Sequence, residues 1–242
     1  MRDADTQQAP SSPRHHLFVR VTHWITALAF FALLLTGVEI LISHPRFYWG
    51  ETGNAGTPAL FTIPIPSSRS LVPNGYPYIL PDQNGWSRYL HFQAAWAAIL
   101  AGLVYATAGV ATSHFRRNLL PSAAAATWPA LVDVIRKHLR IAPPDTDDAT
   151  SYNLLQRLAY VSVVFVFFPL VILTGLAMSP AFNAAVPVVV DSFGGRQSAR
   201  TLHLFVSGCL LLFLIVHLAM VCVSGFRARV RAMITGVAEE RA

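Results

Sequence analysis

Four stretches of the chain, 19–43, 89–113, 155–178 and 201–225, are apolar all round instead of along one face. Each is roughly 20 to 25 residues long, which is what a helix needs to cross a hydrocarbon layer about 30 Å thick. Helices satisfy every backbone donor and acceptor internally, so the pattern predicts an all-α integral membrane protein built as a four-helix transmembrane bundle. The connection 44–88 carries seven prolines among aromatic residues, in HPRFYWGETGNAGTPALFTIPIPSSRSLVPNGYPYILPDQNG. It is too long for a turn and too aromatic for a flexible linker, and reads as an ordered outer loop or docking surface. In the inner loop, 114–154, the run TWPALVDVIRKHLRI places Trp128, Leu131, Ile135 and Leu139 at helical spacing with basic residues on the other face. This predicts an amphipathic helix lying on the bilayer. The expected domain is 19–226, flanked by a polar tail, 1–18, and a basic tail, 227–242. The first 18 residues contain no apolar h-region, so they read as a tail leading into helix 1 and not as a cleaved signal peptide.

Composition supports the membrane reading: 54% of residues are hydrophobic and 12% charged, with a mean hydropathy of +0.47. The net charge of +6 raises the question of nucleic acid, but the cations gather at helix ends and form no stripe with interleaved aromatics, so no nucleic-acid partner is expected. Thirteen of the eighteen Lys and Arg residues precede helix 1, lie between or at the ends of helices 2 and 3, or follow helix 4. By the positive-inside rule both termini are expected on the cytoplasmic side of the membrane. The two cysteines, Cys209 and Cys222, lie within helix 4 with no CxxC or CxxCH pattern, which argues against an iron–sulfur cluster or a covalently attached haem.

A polar imidazole at membrane depth is costly unless it has a partner or a task. Four histidines meet that description: His23 on helix 1, His91 on helix 2, and His203 and His217 on helix 4. The fourteen-residue spacing on helix 4 puts its two imidazoles on nearly one face, about 40° apart and roughly 21 Å along the axis. With a cytoplasmic N-terminus, His91 and His203 share the outer depth, and His23 and His217 share the inner one. Two facing histidines at one depth suit the two axial positions of a haem iron. Zinc wants three or four protein ligands, and copper lacks soft ligands near either pair. Two haems fit the four histidines best.

Arg20, Arg88 and Arg200 each stand three residues before a proposed ligand, in RVTH, RYLH and RTLH. That spacing puts each arginine on its histidine's face, one turn nearer water, where it can neutralise haem propionates. Snorkelling at a helix end explains each arginine taken alone. Gly37, Gly102, Gly109, Gly175 and Gly208 can admit a macrocycle, but ordinary helix packing explains them equally well. Helices 1 and 3 are weakly alike, since each runs from an arginine to a Thr-Gly pair. Of the remaining histidines, His16 and His114 are candidates to carry protons near the inner haem. Glu39, near the outer end of helix 1, can simply reach the interface.

HWITALAFFALLLTG, RYLHFQAAW, YNLLQRLAY and RTLHLFVSGCLLLFLIVH together resemble the bacterial di-haem b-type cytochromes, the membrane subunits of nickel–iron hydrogenases, formate dehydrogenases and thiosulfate reductases. The resemblance covers roughly 17–226 and implies haem-ligand roles for His23, His91, His203 and His217. SHPRFYWGE and SHFRRNLLP are more similar to the thiosulfate-reductase-type branch, whose partners are often periplasmic molybdopterin oxidoreductases.

The resemblance implies electron transfer across the membrane between quinone or quinol and such a partner docked on the outer loop. Arg20, Arg157 and His16, placed near the inner haem, are the candidates for a quinone site. A stand-alone oxidase of a small reductant such as superoxide, coupled to quinone, is one alternative. A haem-free proton-relay transporter is another, although intramembrane Asp, Glu and Lys are nearly absent. A homo-oligomer stays open.

Overall fold

A computed structural model describes residues 15–54, 56–64, 84–120, 132 and 154–237. Helix α1 spans Leu17–Ser43 and α2 spans Asn84–Ala111. The third transmembrane helix, α3, begins as Leu154–Ser162, passes through a π-helical turn at Val163–Phe167 and ends as Phe168–Ala177. Two short helices follow, α4 (Pro180–Ala185) and α5 (Pro187–Ser192), then the fourth long helix, α6 (Arg196–Val223), and finally α7 (Phe226–Thr235). Among the described residues, four helices are long and apolar enough to cross a membrane.

The long helices turn small and polar residues inward. The buried positions of α1 are Thr22, Ala29, Thr36 and Ser43, one every seven residues. On α2, Ser87, Ala94 and Ala101 repeat that spacing. Large apolar side chains point outward, as with Leu28 at 76% and Leu35 at 60% exposed. In lipid the apolar effect does not drive helices together, so close backbone approach over small residues does. Close packing runs along the pair α1–α2 and along the pair α3–α6. Between the pairs it is longer side chains, among them the histidines, that meet across the interior.

The π turn in α3 has a local cause. Pro169 has no N–H to donate, and Phe168 N–H reaches back five residues to the Val163 carbonyl. One extra residue is thereby inserted in the helix.

Helices α2 and α6 begin about five residues earlier than the hydrophobic runs predict, because the polar turns NGWSR and RQSAR continue the helices past the apolar segment. The described part of the outer loop explains how α6 is held there. Strand β1 (Arg46–Phe47) pairs antiparallel with β2 (Phe61–Thr62), and the Phe47 and Phe61 rings stack at 4.9 Å. From this hairpin the loop folds onto the start of α6, whose first N–H groups have no helical partner. Gly50 O accepts from Gln197 N and Ser198 N at 3.0 and 3.2 Å, Glu51 accepts from Arg196 N at 2.9 Å and pairs with its guanidinium at 2.6 Å, and Tyr48 O accepts from Thr201 Oγ1. Arg196 holds the Glu51 carboxyl below its usual pKa, through its backbone N–H first and then its guanidinium.

The expected basic tail also contains structure. Residues 226–235 form α7 between Gly225 and Gly236, both left-handed. Its last turn is fastened to α1, where Arg20 Nη1 donates to Ile234 O at 2.6 Å and Trp24 Nε1 to Met233 O at 3.2 Å. Those carbonyls are ones the helix cannot satisfy itself. The expected amphipathic helix of the inner loop lies outside the described residues, apart from residue 132. So do most of the polar tail, residues 1–14, and residues 65–83 of the outer loop.

Candidate functional site: two histidine pairs

The bundle brings the four histidines together two by two. His91 of α2 and His203 of α6 face each other near the hairpin loop with ring centroids 6.4 Å apart. Near the end that carries α7, His23 of α1 and His217 of α6 also stand 6.4 Å apart. Each pair joins a helix of the α1–α2 unit to α6. Because a first-row metal–imidazole bond is about 2 Å long and a ring centre lies about 1 Å behind its bonding nitrogen, two imidazoles on opposite sides of one iron need centroids about 6 Å apart. Both pairs fit haem ligation. Among the described residues, no group of three or more His, Cys, Asp and Glu side chains is placed to hold a metal, so the donor sets suit a macrocycle that brings four nitrogens of its own.

The loop-end histidines are held from behind. Thr36 Oγ1 lies 2.9 Å from His91 Nδ1, and Thr174 Oγ1 lies 3.1 Å from His203 Nδ1. The glycine after Thr174 gives the His203 ring room: a Cβ on Gly175 would meet His203 Cε1 at a tight 3.3 Å, whereas one on Gly37 would lie at an ordinary contact distance of 3.8 Å from His91 Cε1. The sequence reading assigned these glycines no role and missed the threonines. The signal was present in the Thr-Gly ending shared by helices 1 and 3.

The other pair has different surroundings. His23 meets Trp24 edge-on at 5.3 Å, and its Nδ1 is buried with no hydrogen-bond partner. His217 stacks on Phe213 at 5.7 Å and meets the Tyr160 ring edge at 6.4 Å.

The three arginines occupy different positions. Arg200 donates to Arg46 O at 3.0 Å and to His44 O, and its guanidinium lies over the Phe47 ring at 4.6 Å. It therefore anchors the outer loop. Arg88 is exposed, with Nη2 3.5 Å from His44 Nε2. Burial first, then Arg200 and Arg88, push the His44 pKa down, which favours the neutral ring that can accept from Arg88. Arg20 is engaged with α7. At the opposite end of the bundle from the loop, His16 and His114 lie 6.2 Å apart, and Asn118 Nδ2 is 2.9 Å from His114 Nδ1. Burial and, after it, His16 lower the His114 pKa.

A family model, prokaryotic cytochrome b561, matches residues 14–236. The chain belongs to the prokaryotic cytochrome b561 family. A curated protein of Azospira oryzae, described as a putative protein-methionine-sulfoxide reductase subunit YedZ1, is 25% identical over 213 residues, covering 86% of this chain and 89% of its own. No solved structure matches. Membership makes the chain a multi-pass membrane cytochrome of the b type, whose haem carries electrons across the membrane. This sets aside the haem-free transporter.

Proposed function

We propose that this cytochrome b561 binds two b haems, one between His91 and His203 and one between His23 and His217, and passes electrons between quinone and an extracytoplasmic oxidoreductase. The observation that carries the reading is the pair of equal 6.4 Å histidine separations at two depths of one bundle. Bound between two histidines, a haem iron exchanges one electron and keeps no position open for substrate. The chain's part is to hold two such groups in line, insulated by lipid-facing apolar side chains. The basic residues around the termini orient the bundle with both ends in the cytoplasm of the inner membrane, so that the hairpin loop and the His91–His203 pair face outward. The partner we favour is a periplasmic molybdopterin-type reductase. The relative's description as a reductase subunit supports that choice, as does an outer loop long enough to present a docking surface.

Chemical quantification of haem in the purified full-length protein, together with a dithionite-reduced minus oxidised spectrum, tests the reading. Two non-covalent b haems per chain, both reducible by a quinol, are the expected result. One haem per chain, or none, would sink it.

In this reading Arg88 and Arg200 face the propionates of the outer haem. Arg88 is the cleaner probe, because Arg200 also anchors the loop. Removing a cation near an iron that loses positive charge on reduction disfavours the reduced state. Arg88→Gln is therefore expected to lower the midpoint of the outer haem and leave the inner one, about 20 Å away along the helix, nearly unchanged. Potentiometric titration decides, and equal shifts in both haems would remove Arg88 from the site.

A further inference from the structure

The two helix pairs are built on one plan. In α1, Arg20, His23, Thr36 and Gly37 follow one another; in α3, Arg157, Tyr160, Thr174 and Gly175 do. The second run is one residue longer between its ring and its threonine, 14 positions against 13, and the π turn at Val163–Phe167 lies inside that interval. A π turn inserts one residue, so it restores the register. In α2, Arg88, His91 and Tyr105 match Arg200, His203 and His217 of α6 at the same spacings. At the loop end the plan is kept in full, with a histidine from the second helix of each pair and a Thr-Gly from the first. At the other end it is broken, with one histidine and one tyrosine in each pair.

We infer that Thr36 and Thr174 are paired positioning residues that fix the tautomer of His91 and His203 and set the electron affinity of the iron between them. The inference rests on the haem reading proposed above. A hydroxyl has one proton to give. Thr36 Oγ1 donates it to Ala32 O at 2.7 Å, and Thr174 Oγ1 donates to Leu170 O at 2.7 Å, the usual back-bond of a threonine within a helix. At 2.9 and 3.1 Å from the imidazoles, each oxygen is left as the acceptor, so Nδ1 of each histidine must carry the hydrogen. That leaves the Nε2 lone pair for the metal in both ligands. An acceptor on Nδ1–H also pushes electron density into the ring and makes it a stronger donor, which favours ferric over ferrous iron. Thr36 and Thr174 therefore hold the loop-end haem at a lower potential than it would otherwise have. His23 has no such acceptor on its Nδ1, so the inner haem serves as the control within the same molecule.

The test uses full-length protein with its haems, comparing Thr36→Val, Thr174→Val and the double variant with Thr36→Ser and Thr174→Ser. Valine keeps the shape and removes the hydroxyl acceptor, and serine restores it; His203 also has a hydrogen bond to the Val171 backbone, so Thr174→Val should give the smaller shift of the two. Potentiometric titration of the haem absorbance should show one wave, the one absent from His91→Ala, moved upward in each valine variant. The double variant should move it about as far as the two single shifts combined, and the serine variants should lie near the parent. Loss of that haem in the valine variants which serine restores would also support the assignment. Unmoved waves, equal movement of both waves, or serine variants that behave like valine would overturn it. Parent protein carrying no haem would instead overturn the underlying reading, which keeps the two failures apart.

Discussion

Replacing His91 or His203 with alanine is expected to remove the loop-end haem, and replacing His23 or His217 the other, so that each variant retains one haem of two. The size of the effect follows from the donor sets. Each site offers two protein nitrogens, and an alanine leaves its iron held from one side only while opening a void where the ring stood. The pairs share α6 but no ligand, and about 21 Å of helix separates His203 from His217, so loss at one depth leaves the other geometry standing. Quantifying haem in the four variants and recording which potentiometric wave disappears checks the pairing. His91→Ala and His203→Ala must lose the same wave, and His23→Ala and His217→Ala the other. Losing different waves within a pair would break the assignment even if every variant lost haem.

The histidines were legible because hydrocarbon penalises an unexplained imidazole and because helix geometry converts a fourteen-residue interval into one face at two depths. The supporting threonines were not, since a threonine can satisfy its own hydroxyl on the carbonyl four residues back and needs no further reason to lie in a membrane helix. Thr36 and Thr174 acquire meaning only once α1 is packed on α2 and α3 on α6. The same limit applies to the arginines. Spacing put Arg200 on the face of His203, but the loop that takes its guanidinium is joined to it through contacts more than 150 residues apart in sequence. Hydropathy found the spans, and it missed the first turns of α2 and α6 and the whole of α7 because those turns are polar or basic; α6 is capped by the Gly50 carbonyl and the Glu51 carboxylate, and the last turn of α7 accepts from Arg20 and Trp24.

That loop-to-helix attachment makes one glycine, outside both histidine pairs, decisive for the loop-end site. Gly195 precedes α6 with φ +104° and ψ 172°, a region that essentially only glycine occupies, at a cost of about 1–3 kcal/mol for any other residue. A Cβ there would lie 2.6 Å from Glu51 N and 2.7 Å from Gly50 C and O, so the penalty cannot be relieved without moving the loop away. Gly50 and Glu51 are the groups that cap α6 and accept its first N–H groups. Gly195→Ala is therefore expected to detach the loop, uncap α6, and let its first turns, and His203 with them, move relative to His91. On heating the purified protein, the loop-end haem should be released at a lower temperature than in the parent, while the His23–His217 haem, almost the full length of α6 away, should follow its usual course. Glu51→Gln, which removes charge but keeps the backbone, should give a smaller change of the same kind. If Gly195→Ala left both haems equally stable, the loop would be lying on α6 without holding it.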